Sequence, residues 1–142
     1  MKRKTAVGVL LLAICAGWPV RAEDAAPADR AVKLIAYYFH GTFRCATCMK
    51  LESYTKEAIE ESFKDELKNG RIAWSAVNTD EGDNGHFVKD FKLETKSVVL
   101  VAMQGDKQLR WKNLDKIWDL VSTKDDFKKY IRKEVSQFRK KD

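Results

Sequence analysis

The side chains best suited to chemistry are two cysteines, in the run His40-Gly41-Thr42-Phe43-Arg44-Cys45-Ala46-Thr47-Cys48. A Cys-x-x-Cys loop is a poor structural staple, because closing so short a loop removes little entropy from the unfolded chain. Disulfide exchange explains the spacing better. One thiolate attacks a disulfide sulfur, a mixed disulfide forms, and the second thiol resolves it. The thiolate is the reactive form, and the amino end of a helix stabilises it through unpaired N–H groups and the helix dipole. A helix opening at the motif would make Cys45 the more acidic and exposed thiol. Cys48 would lie one turn in, on the same side and more buried. Arg44 adds positive charge beside Cys45 and should favour its thiolate further.

The surrounding elements read as follows. Lys33 to Phe39 (KLIAYYF) is an apolar, aromatic run of the kind found in buried central strands. Residues 40–44 form a loop, and a helix runs from Cys45 to about Lys68, with Leu51, Tyr54, Ala58, Ile59, Phe63 and Leu67 as its apolar face. Asn69-Gly70 ends it. Arg71 to Asn78 is a second strand. Asn84 caps a short helix through Phe91. Ser97 to Met103 (SVVLVAM) is a β-branched strand, and Gly105-Asp106 turns it into Lys107 to Lys112. Asn113 to Val121 forms a short helix. Thr123 and Asp126 form a capping box for a last helix to about Lys140. The order is β-α-β-α-β-β-α, in which a helix joining the first two strands implies a right-handed parallel crossover.

The amino terminus reads as an address. Lys2, Arg3 and Lys4 precede an apolar run from Thr5 to Trp18, then Pro19 and Val20-Arg21-Ala22. This is the pattern of a secretory signal peptide cleaved after Ala22. The run is shorter than the ~20 residues that span a bilayer, so no stable membrane insertion follows cleavage. An uncleaved anchor would make the protein membrane-associated. Cleavage at Cys15 as a lipoprotein is disfavoured by the bulky Ile14. Residues 23–32 read as a flexible leader and 33–142 as the domain.

Export changes the composition that matters. The 142-residue chain carries a formal charge of +6, but Lys2, Arg3, Lys4 and Arg21 leave with the signal and no acid does, so the remainder carries +2. That removes the electrostatic case for nucleic acid. With 44% hydrophobic and 34% charged residues, global disorder is also excluded. Once Cys15 is discarded, only Cys45 and Cys48 remain, in an oxidising compartment such as the periplasm where exposed cysteines form disulfides.

YYFHGTFRCATC (37–48), VNTDE (77–81), FKLETKSVVLV (91–101), the GDK turn (105–107) and the terminal helix together resemble the thioredoxin-like superfamily over roughly residues 33–140. The nearest resemblance is to small exported members, among them a family described as a subunit of a nitrophenyl-compound nitroreductase. The resemblance implies an α/β fold, a thioredoxin-like three-layer α/β/α sandwich on a mixed four-stranded sheet. It implies disulfide exchange with Cys45 as nucleophile and Cys48 as resolving thiol, no bound cofactor, and a protein thiol/disulfide partner or reductase complex. Residues 23–32 are too few for the amino-terminal β-α pair of full thioredoxins.

The family pattern is not fully matched. The family's cis-proline before the third strand has no counterpart, and Lys96 or Ser97 fills its place. The family's buried acid corresponds to Phe39 and its lysine partner to Ala76, so that proton relay is missing. The nearest titratable substitute is His40, although a loop histidine is more often simply solvated or hydrogen-bonded. The family's tryptophan before the motif falls at Thr42 or Phe43.

Other residues read as ordinary structure. Trp74, Trp111 and Trp118 suit core or sheet-edge packing, and His86 suits a solvated junction. Met49 could complete a soft Cys-Cys-Met site for Cu(I), but a helix position adjacent to Cys48 points elsewhere, which favours packing. Asp80, Glu81 and Asp83 lack the register of a calcium loop, and Gly82 and Gly85 make them a turn. Two readings compete with the oxidoreductase. One is a soft-metal or metalloid (copper, arsenic) carrier using both thiolates; a closed zinc site would need four ligands, hence a dimer. The other is a non-catalytic subunit of a reductase complex whose cysteines are incidental.

Overall fold

The computed structural model describes residues 31–141. The expected signal segment, Cys15 and the leader up to residue 30 lie outside the described residues.

Alternation along one strand explains the layering. The strand β1 (Val32–His40) is central, paired in parallel with β2 (Ile72–Asn78) and antiparallel with β3 (Ser97–Gln104). The hairpin partner β4 (Lys107–Asn113) completes the order β2-β1-β3-β4. Successive side chains on a strand point to opposite faces. Leu34, Ala36 and Tyr38 therefore share one face with their register partners Ala102, Leu100 and Val98. This face is covered by α1 (Ala46–Ser62) and α5 (Lys124–Arg139), whose Leu51, Ala58, Ile59, Phe127, Ile131 and Val135 are each fully buried. Burial of each of these side chains larger than alanine stabilises by roughly 1.5–3 kcal/mol before entropy is counted.

The other face is thinner. Tyr37, Phe39, Val99, Val101 and Met103 meet Phe87, Phe91 and Trp111. Phe87 and Phe91 lie on and just after α3 (His86–Asp90), which follows a 3-10 turn at Gly82–Gly85. Their rings stack at 5.8 Å, and Phe39 sits 5.1 and 5.5 Å from them. Two helical layers of unequal depth thus enclose a mixed sheet, as in a thioredoxin-like fold.

Several boundaries differ from expectation, each for a local reason. The first strand begins at Val32 and runs on through His40, because His40 is still in register with Asn78. The long helix is broken: Phe63 adopts φ −133° and ψ 38°, which turns its ring into the core, and the chain resumes helix as α2 (Lys64–Lys68). Gly70, at φ 77°, then makes the reversal into β2 that a Cβ would strain. Asn84 is not a helix cap. Its amide donates to the Asn78 carbonyl at 2.9 Å and ties the acidic turn to the end of β2. The short helix expected over residues 113–121 shrinks to α4 (Ile117–Leu120) because β4 extends to Asn113. Thr123 precedes α5 but its side chain makes no capping hydrogen bond, so the expected box is not formed.

The candidate active site

Cys45 is the residue before α1. Its backbone is extended, at φ −90° and ψ 164°, while its carbonyl already accepts from the Met49 N–H at 3.0 Å. Its Sγ accepts from the Cys48 N–H at 3.1 Å. The sulfur therefore occupies the place a capping oxygen normally takes, on the helix's unpaired N–H groups. Cys45 and Cys48 are joined as a disulfide. Cys45 is half-buried and Cys48 is fully buried at 0% exposure. No acidic side chain lies in the first turn of α1 to oppose a thiolate there.

Tyr38 supports the motif from below. It faces α1 because alternation places it with Leu34 and Ala36, and its phenol donates to the Cys48 carbonyl at 2.7 Å. Burial pushes the phenol up to about 12, against a smaller opposing pull from Arg44, so it remains a neutral donor at physiological pH. The loop before Cys45 is tied down by the loop after β2. Asp80 accepts from the Thr42 N–H at 2.7 Å, Asn78 Nδ2 donates to Thr42 Oγ1 at 3.3 Å, and the Thr79 N–H donates to the His40 carbonyl at 2.8 Å. Asp80, at the start of the acidic turn, thus holds the motif loop directly, and Glu81 accepts from the same Asn78 amide at 2.8 Å.

Arg44 is not the free cation expected beside Cys45. One of its terminal nitrogens pairs with Glu52, in the second turn of α1, and the other approaches His40 Nε2 at 3.4 Å. His40 Nδ1 lies 2.9 Å from the Gly41 carbonyl, an acceptor only, so the proton belongs on Nδ1 and Nε2 accepts from Arg44. His40 is thus hydrogen-bonded on both nitrogens. Phe39, at the family's acid position, faces the aromatic layer away from α1.

Lys96 and Ser97 occupy the entry to β3, where Ser97 pairs with Phe39 and Trp118 Nε1 donates to the Lys96 carbonyl at 3.1 Å. A cleft of about 220 Å³ lies between this entry and the motif loop, lined by Phe39, His40, Gly41, Leu93, Thr95 and Lys96 among others. Phe43, 77% exposed, and Met49, 52% exposed, flank the cysteines. Met49, expected to pack, stands outside the core. Trp74 and Trp111 pack as expected, Trp118 is partly exposed, and His86 lies at the surface with Nδ1 2.6 Å from the Asp83 carbonyl. Among the described residues no three His, Cys, Asp or Glu side chains converge as a metal site.

Tyr38, Glu52 and Asp80 are the functional neighbours that sequence reasoning missed. Strand alternation could have placed Tyr38, and the Cys45-Cys48-Glu52 spacing on one helical face could have placed Glu52. Nothing local signals the contact of Asp80 with Thr42.

The sheet order, the two helices on one face and a Cys-x-x-Cys pair at the amino end of the first helix define a thioredoxin-like fold. No protein-family model matches the chain, and no curated protein does either. Among solved structures, the chain is similar to thioredoxin O2 from Arabidopsis thaliana in its oxidized state, at 15% identity over 66% of this chain and 74% of that one, with a TM-score of 0.40. It is also similar to Fasciola hepatica thioredoxin, at 15% identity over 70% of this chain and 84% of that one, with a TM-score of 0.39.

Proposed function

We propose that this protein is an exported thiol–disulfide oxidoreductase or electron relay, with Cys45 as nucleophile and Cys48 as resolving thiol. The observation that carries the reading is the unequal burial of a disulfide seated on a helix amino end. A partner can reach Cys45 but not Cys48. In the reducing direction the Cys45 thiolate attacks a partner disulfide, forming one S–S bond and releasing one partner thiolate. Cys48 then loses its proton and attacks Cys45 Sγ, which releases the second partner thiolate. The partner gains two electrons and, with two protons, becomes a dithiol, while this chain becomes the disulfide. The reverse direction begins with a partner thiolate on Cys45 Sγ and expels the Cys48 thiolate.

The exposed Phe43 and Met49 beside the disulfide suit a polypeptide partner, since apolar rims gain from covering each other. The amino-terminal pattern of residues 1–22 supports export to the periplasm; sequencing the exported protein should then read from Glu23. The central test is a Cys48→Ser variant in the native host. It should accumulate partner proteins attached through Cys45, and Cys45→Ser should accumulate none and lose exchange activity. Absence of adducts, with copper or arsenic bound to both thiolates instead, would overturn the reading.

A further inference from the structure

Arg44 ends the loop that leads into the reactive sulfur, yet its guanidinium is drawn along α1 to Glu52. Cys45, Cys48 and Glu52 recur on one side of that helix at the spacing that stacks successive turns. The guanidinium is thereby confined beside the first two turns, between Glu52 and His40 Nε2, with its Nε buried and lacking a hydrogen-bond partner. A buried donor left in that state is a strain that the ion pair must outweigh. A half-buried cation and anion so close together act on a nearby thiolate almost as a neutral pair.

We propose that Glu52 is a positioning residue that sets the nucleophilicity of Cys45, by fixing the Arg44 guanidinium along α1 and cancelling its charge. Without Glu52 the cation would stabilise the thiolate. Without Arg44 the remaining carboxylate would oppose it. Other titratable or charged groups around the motif include Tyr38 and His40 from β1, Lys50 early in α1, Asp80 from the loop after β2, and Glu94 and Lys96 from the segment leading into β3. Tyr38 stays a neutral phenol, and Asp80 is engaged with the Thr42 N–H.

The inference rests on the exchange reading of the cysteine pair, but its test needs no partner. The reduced protein is alkylated with iodoacetamide across a pH series, and modification at Cys45 is followed by mass spectrometry. Glu52→Gln keeps a hydrogen-bonding side chain and removes the charge, so alkylation at pH 6 should rise about 3- to 10-fold. Arg44→Met should lower it by a similar factor. The double variant should return near the parent rate, and so should Glu52→Asp, which keeps the charge. Thermal melts of each variant separate this effect from loss of the fold. Unchanged or slower alkylation in Glu52→Gln, or a double variant that behaves as Arg44→Met alone, would overturn the inference. Rates as expected but no trapped partner on Cys48→Ser would overturn only the exchange reading.

Discussion

A single phenol under the motif shows how much one residue contributes. Tyr38 is fully buried, and its one polar atom is satisfied by the Cys48 carbonyl. Removing it leaves a short gap and one lost hydrogen bond, a change worth about 1 kcal/mol. Tyr38→Phe should therefore lower the melting temperature modestly while leaving the disulfide able to form. Alkaline titration gives a sharper signature. The phenol lies at about 12 in the folded chain against 10.0 ordinarily, so the folded state holds this proton more tightly than the unfolded one. The corresponding stability is complete below pH 10 and is lost as pH rises toward 12. Tyr130, also pushed up to about 12 by burial, adds to the same decline. Melting temperatures measured across that interval should fall less steeply in Tyr38→Phe than in the parent; an identical slope would remove the phenol from the account.

Between elements, ionic ties hold α5 against the first two helices. Arg139 pairs with Glu66 at 2.7 Å, Lys124 with Glu57 at 2.7 Å and Lys128 with Glu61 at 2.6 Å. The hydrogen bond from Arg139 holds the Glu66 carboxyl below its usual range, and that from Lys124 does the same for Glu57. A lowered carboxylate stabilises above its unfolded-state value, and the benefit disappears as pH falls through the folded-state value. Acid should thus loosen α5, and Glu66→Gln should remove part of that sensitivity while costing about 1 kcal/mol or less at neutral pH, as partly exposed pairs do. The motif loop offers a second element-scale test. A Cβ at Gly41 would lie 2.8 Å from Asp80 Oδ2, the oxygen that accepts from Thr42. Gly41→Ala should displace that carboxylate and raise amide exchange at Thr42. Strands and long helices at this scale were legible in the sequence because periodicity is written residue by residue. The Phe63 break, the Asn84 tie and the unformed box at Thr123 were not. The Phe63 break depends on the core that takes its ring, and the Asn84 tie on a carbonyl six residues upstream, neither of which periodicity reveals; nothing in the structure explains the unformed box at Thr123.

For the molecule as a whole, the two faces of the sheet are unequal. The deep face carries α1 and α5 with Leu51, Ile59, Phe127 and Ile131 fully buried, while the shallow face rests on the short α3 and an aromatic cluster. Phe127→Ala should cost about 3–5 kcal/mol and lower global stability, because it leaves a large cavity where helix and sheet meet. Phe91→Ala should act more locally, speeding amide exchange in α3 and β2 before the rest of the sheet opens. Equal loss of protection on both faces would show that the layers are one cooperative unit. The mixed sheet and the motif's place in it were readable from the run of strands and from the cysteines. Which face was thin was not, since Phe87 and Phe91 carry the same apolar signal as residues of the deep core.

The sulfur of Cys45 holds two posts at once, as half of a covalent bridge and as the plug on the Cys48 N–H at 3.1 Å. A reagent that bonds that atom should also pull the stopper from the coil and so loosen the turn that carries the second sulfur as the exchange proceeds. Faster amide exchange at Cys48 in a trapped adduct than in the resting protein would register that loosening.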